Sequence, residues 1–208
     1  MRDSGRLLFW VLGILGAIGL LLYLFVFDTW VVPADDPQLA VSVEPNLRPN
    51  DRILTRRRGI PRYGELARCQ TPDGSGRYVV GRLFGAGGDR VRISAERIAV
   101  NDRLYATRFR CGTMTLPNPV TGQQKTLDCI AEDNGAFTYN ILIAQEYPEG
   151  DRNLMVPSER FYLVSDNRHL HFDSRDFGEV DPATCERIVF RLWGDRFTDG
   201  SRRFNLLW

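Results

Sequence analysis

Lysine is almost missing from this chain. Of its 27 basic residues only Lys125 is a lysine, and the rest are arginines. A guanidinium keeps its proton at any ordinary pH, so arginine is a poor general base. Lys125 lies in a polar turn over residues 122–125 and reads as solvated. Histidine is nearly as scarce, with His169 and His171 the two in the chain. The four cysteines, Cys69, Cys111, Cys129 and Cys185, form no Cys-x-x-Cys pair, which argues against a zinc site, and no metal or other cofactor is expected. A surplus of one charge is lacking too: 27 basic against 26 acidic residues leave a formal +1. That balance argues against a nucleic-acid polyanion as partner. There is no internal repeat and no low-complexity tract. Past residue 30 no stretch carries the period of a long amphipathic helix.

What is present begins with residues 7–27, a run of 21 residues without a charge. As a helix it crosses a hydrocarbon core of roughly 30 Å. A cleaved signal peptide has a shorter apolar region ending in small residues; this run ends in Phe27-Asp28-Thr29-Trp30, so an uncleaved anchor is expected. Arg2 and Arg6 precede it, and Asp28, Asp35 and Asp36 follow. The bias puts residues 1–6 in the cytoplasm and the rest outside it. Residues 28–40, with Pro33 and Pro37, read as a linker, and 41–208 as one extracytoplasmic domain.

That domain reads as mostly antiparallel β, two sheets or a coiled barrel. Short β-prone runs alternate with Gly, Pro, Asn and Asp turns. Residues 97–105 make a hairpin with Asn101-Asp102 at its tip, a pair that tolerates positive φ. Four cysteines on the oxidising side of a membrane pair. Cys111 and Cys129 bracket one hairpin-like stretch, which leaves Cys69 for Cys185.

The densest chemistry lies in residues 165–178. After the apolar strand 160–164 the chain places Asp166-Asn167-Arg168, then both histidines, then Asp173-Ser174-Arg175. Asp and Arg at such density build charge-assisted hydrogen bonds. Such a cage either holds the loop in shape or serves a reaction.

These residues carry a resemblance. Asp166-Asn167-Arg168, Asp173-Ser174-Arg175 and Gly178 are similar to the closing signature of the bacterial signal peptidase I family, with Ser165 where that family has glycine. Ser42-Val43-Glu44-Pro45-Asn46-Leu47 resembles its serine motif, and Asn50-Asp51 stands for its Gly-Asp. Arg82, Gly85, Gly88, Asp89 and Val91 fall in place in its central glycine-aspartate element. The likeness covers most of residues 7–193. It implies a coiled antiparallel β-sheet domain behind one transmembrane helix, in the plasma membrane, facing the periplasm or its equivalent. It implies Ser42 as nucleophile and the bilayer and exported precursors as partners. Val41, Val43 and Pro45 would flank the serine, with Gly81, Arg82, Asp89, Asp166, Asn167, Arg168, Ser174 and Arg175 lining or supporting the site. Ala40 stands where the family often has a side-chain donor, which leaves the N–H of Ser42 for the oxyanion.

One departure governs the rest. The family's general base is a lysine, and its position here is Gly81. His171 stands where the family often has a serine beside that lysine. A histidine is a competent base near neutrality, Asp173 or Asp166 is placed to orient it, and Gly81 would leave room for the ring. The other readings of His171 are a loop residue without a role, or half of a metal pair with His169. Two functions follow: a membrane-anchored serine endopeptidase using Ser42, His171 and Asp173 to cleave signal peptides, or an inactive homologue holding extended peptides by strand addition.

Overall fold

The uncharged run forms a helix. α1 covers Arg2–Phe25, and its stretch Gly5–Phe25, 21 residues, is long and apolar enough to cross a membrane. Its apolar side chains are exposed along its length, as a helix surrounded by lipid requires. The computed structural model describes residues 2–57, 59–94, 97–144 and 150–207.

Beyond α1 the described chain is strands, turns and a few short helical turns, so the β expectation holds. Residues 28–40, expected as a linker, carry regular structure. β1 (Phe27–Val31) starts directly after α1 and pairs antiparallel with β2 (Arg52–Arg56), from Phe27↔Arg56 to Val31↔Arg52. α2 (Pro37–Ser42) follows, where Asp36 caps the helix by accepting from the Leu39 N–H at 3.1 Å and Pro37 occupies its first position. Asp followed by Pro is a helix-start signal.

β3 (Leu66–Gln70) and β4 (Tyr78–Ala86) continue the sheet, and β12 (Phe161–Val164) lies beside β4. The last long strand, β13 (Glu186–Trp193), inserts between β2 and β3, and β14 (Asn205–Leu206) adds to it. β4 is buried continuously from Val79 to Gly85, which is why its sequence runs apolar without alternation.

Two smaller sheets complete the domain. β5 (Arg90–Ser94), β6 (Arg97–Val100), β7 (Arg103–Leu104) and β11 (Arg152–Met155) form one, with Asn101 and Asp102 at φ 50 and 64 at its hairpin tip. β8 (Ala106–Pro117), β9 (Gln124–Asp133) and β10 (Thr138–Ile143) form the other. α3 (Ser174–Phe177) is a single turn in the closing loop. Leu39, Val43 and Leu47 pack on Ile53, Leu66, Val80 and Ile188, fixing α2 against the large sheet.

Both disulfides join as expected. Cys69–Cys185 ties β3 to the start of β13 with Cα atoms 4.1 Å apart, and Cys111–Cys129 ties β8 to β9 at 5.0 Å. The first closes 116 residues and the second 18. Loop-closure entropy makes the longer link the stronger constraint on the unfolded chain, on the order of 4–5 against 3 kcal/mol. Replacing Cys69 and Cys185 by alanine should therefore lower thermal stability more than replacing Cys111 and Cys129, as read by melting of the purified protein; the reverse order would contradict this assignment.

Candidate active site

Ser42 is the last residue of α2 and is fully buried. Its Oγ donates to the carbonyl of Leu39 at 3.0 Å, the local back-bonding that serine offers near helix ends. The closing loop is stitched to it from outside. The Asn167 N–H donates to the Ser42 carbonyl at 3.1 Å, and Asn167 Nδ2 donates to the Val41 carbonyl at 3.1 Å. The same side chain's Oδ1 accepts from the N–H groups of His169 and Leu170 at 3.2 and 2.8 Å. That turn carries Leu170 into one apolar cluster with Val41, Leu127 and Leu142. Two residues on, the Arg77 guanidinium lies 4.5 Å from the Phe172 ring centre and also grips Asp36, the cap of α2. His171 sits between these two contacts.

Three buried ion pairs hold the loop. Arg82 Nε and Nη2 donate to Asp166 at 2.6 and 3.1 Å, and Asn46 Nδ2 reaches the same carboxylate at 2.7 Å. Arg82 Nη1 donates to the Gly64 carbonyl at 2.7 Å, and its Cζ is 3.6 Å from the Tyr139 ring centre. Arg168 Nη2 donates to Glu132 at 2.6 Å, and the Tyr139 hydroxyl donates to the same oxygen at 2.8 Å. Arg175 forks onto both oxygens of Asp173 at 3.0 and 2.7 Å and donates to the Arg168 carbonyl at 2.8 Å. Ser165, where the resemblance has glycine, donates both its N–H and its hydroxyl to Asp173. Ser174 Oγ accepts from the Leu163 N–H at 3.0 Å, tying the loop to β12. Burial pushes the Asp173 carboxyl up, but the charge and hydrogen bonds of Arg175 outweigh it and hold the group well below the usual carboxylate range.

Asp173 is therefore committed to Arg175 and Ser165, and Asp166 to Arg82 and Asn46. Among the described residues, the acid that hydrogen-bonds His171 is Asp176, whose Oδ2 lies 2.9 Å from His171 Nδ1. That oxygen also accepts from the Asp173 N–H at 2.8 Å, closing a capping box across α3. The spacing Asp173-x-x-Asp176 is the signal that could have named it. The His171 side chain is 8% exposed. Desolvation lowers its pKa, but the hydrogen bond to Asp176, with the charges of Asp173 and Asp176, outweighs that and leaves it above 6.5.

Ser42 Oγ makes no hydrogen bond with the His171 ring; its partner is Leu39. Gly81 does not leave room for an imidazole either. A Cβ there would lie 3.0–3.1 Å from the backbone of Val164, so the end of β12 fills the space. Asp89 is a turn residue, accepting from the Ala86 N–H, the Tyr63 hydroxyl and Asn101 at 2.6–2.8 Å. Glu44, two places past the serine, is a titratable group that the sequence did not single out. Burial pushes its carboxyl up to about 7, against the pull of Arg48 and Arg202, and Arg48 Nε contacts it at 3.4 Å. The ligand atoms of His171, Asp173 and Asp176 lie within 4.8 Å of one another. Both Asp173 oxygens already accept from Arg175 and Ser165, so this cluster offers a metal too few uncommitted ligands.

Compared with protein-family models, residues 6–193 match that of signal peptidase, peptidase S26. The chain belongs to the signal peptidase family. No curated protein matches it significantly. Within the signal-peptidase domain the serine motif and the closing signature meet at Asn167, while Glu132, from β9, was legible in neither motif. Glu132→Gln should leave the Arg168 guanidinium buried without its counter-charge and cost about 3–5 kcal/mol. Chemical denaturation checks it; a loss below about 1 kcal/mol would mean that the pair is not structural.

Proposed function

We propose that this signal-peptidase relative is a membrane-anchored serine endopeptidase in which His171, oriented by Asp176, takes the role of the missing lysine. The reading rests on one observation: a largely buried His171 ring held 2.9 Å from the more exposed carboxylate of Asp176, in the loop that Asn167 pins to the serine. In this mechanism the Ser42 hydroxyl turns from Leu39 toward the ring. His171 takes its proton as Oγ attacks the scissile carbonyl, and the ring then protonates the leaving amine. The N–H of Ser42, in the last turn of α2, points back into that helix, so it is not the donor that holds the oxyanion. Water hydrolyses the acyl-enzyme by the same base. Asp176 fixes the tautomer and steadies the imidazolium. With α1 in the plasma membrane and its N-terminus cytoplasmic, the site stands outside, where exported precursors present extended segments with small residues at the cut.

The second reading is an inactive homologue that binds extended peptides. It is favoured by the buried Ser42 hydroxyl, which is satisfied by its own helix. A fluorogenic peptide with an Ala-x-Ala site, presented to the reconstituted chain, separates the two. On the enzyme reading, Ser42→Ala abolishes turnover and His171→Ala reduces it by about a hundred- to ten-thousand-fold. Activity climbs as pH rises through a value above 6.5, because the base must be neutral. Asp176→Asn moves that limb to lower pH, while Glu44→Gln leaves it in place. Tight peptide binding with no cleavage at any pH would decide for the inactive homologue.

A further inference from the structure

Arg56, Arg57, Ile60 and Arg62 lie outside the serine site, at the point where α1 meets the large sheet. Arg56 ends β2 and pairs in register with Phe27, the first residue of β1. The Arg57 N–H donates to the carbonyl of Val26, one residue beyond α1, at 3.0 Å. The other end of the loop is fastened where the Arg62 N–H donates to Glu65 at 2.8 Å. Between these ties Ile60 stands 76% exposed. The guanidinium of Arg57 is 3.4 Å from Asp28. Arg56 and Arg62 are exposed, and neither has a carboxylate partner among the described residues. Arg58 lies outside them.

A solvated corner does not need an isoleucine at its tip. An exposed apolar side chain in a loop flanked by exposed arginines suits the boundary between anionic headgroups and acyl chains. The backbone bond from Arg57 to Val26 ties the start of this loop to the end of the apolar helix, so a bilayer crossed by α1 brings its headgroups close to it. We infer that Arg56, Ile60 and Arg62 form a docking loop for anionic phospholipid headgroups, setting the β domain's stance on the membrane. This rests on the anchor reading of α1 and is independent of whether Ser42 is active. Docking would fix the height of the serine site above the bilayer.

The test is hydrogen exchange of the full chain in nanodiscs of phosphatidylcholine alone, and with about one-third phosphatidylglycerol. Amides of Gly59, Ile60, Arg62 and Tyr63 should exchange more slowly in the anionic discs at low salt, by up to about 30-fold, roughly fivefold for each unpartnered arginine. Arg56→Gln/Arg62→Gln should remove the difference without lowering the melting temperature, and raised salt should shrink it. Equal exchange in the two lipids, with the chain inserted in both, would overturn the docking loop and leave the peptidase reading standing. A chain that inserts in neither disc would remove the anchor and this inference together. Slowing that required an added acidic protein, rather than the lipid, would assign the surface to a protein partner instead.

Discussion

The closing loop depends on three guanidinium–carboxylate pairs taken out of water. Arg82, Arg168 and Arg175, with Asp166, Glu132 and Asp173, are all nearly or fully buried. Each buried ion costs several kcal/mol in lost solvation, recovered only by a close partner and further hydrogen bonds. The pairs are therefore poor evidence of high stability and good evidence of a fixed geometry, since any shift of the loop leaves a charge unmatched. Arginine suits this work because its planar fork meets two acceptors at once. Arg82 spans Asp166 and Gly64, and Arg168 spans Glu132 and Ser165. Asn167 then transmits the loop's position to the backbone of Val41 and Ser42.

The same constraint bears on the base proposed above. At Gly81 the backbone of Val164 occupies the side-chain direction, so nothing at that position replaces the lysine. On the proposed reading, the loop's own capping box supplies the acid that orients His171. Asp176 closes the box on Asp173 and, with the same oxygen, meets His171. Asp173 is kept ionised by Arg175, and its charge helps to hold a proton on the ring against the cost of burial. The serine rests on Leu39, so the proposed mechanism begins with its hydroxyl turning away from that carbonyl.

Much of the architecture was legible because it is written locally. The uncharged run gave α1, Asn101-Asp102 gave the hairpin, and two cysteines flanking one hairpin fixed both disulfides by leaving a single remaining pair. The serine motif and the closing signature pointed to two segments that the fold does bring together. What escaped was written locally but weakly, or not locally at all. Asp36-Pro37 signalled α2, yet a six-residue helix has too few apolar repeats to show a period. Asp176 was overlooked because Asp173 sits in the signature. Glu132 had no local sign, since its partner Arg168 lies 36 positions away. The fill at Gly81 comes from the path of β12, which no residue at position 81 announces.

The central claim is that Ser42 is a nucleophile served by His171, and reaction of the intact membrane-inserted chain with a fluorophosphonate tests it most directly. Mass spectrometry should find one phosphonyl adduct, on Ser42, forming faster as pH rises through a value above 6.5, where the His171–Asp176 pair gives up its proton. A chain that is folded, inserted and unlabelled across that whole range would contradict the account.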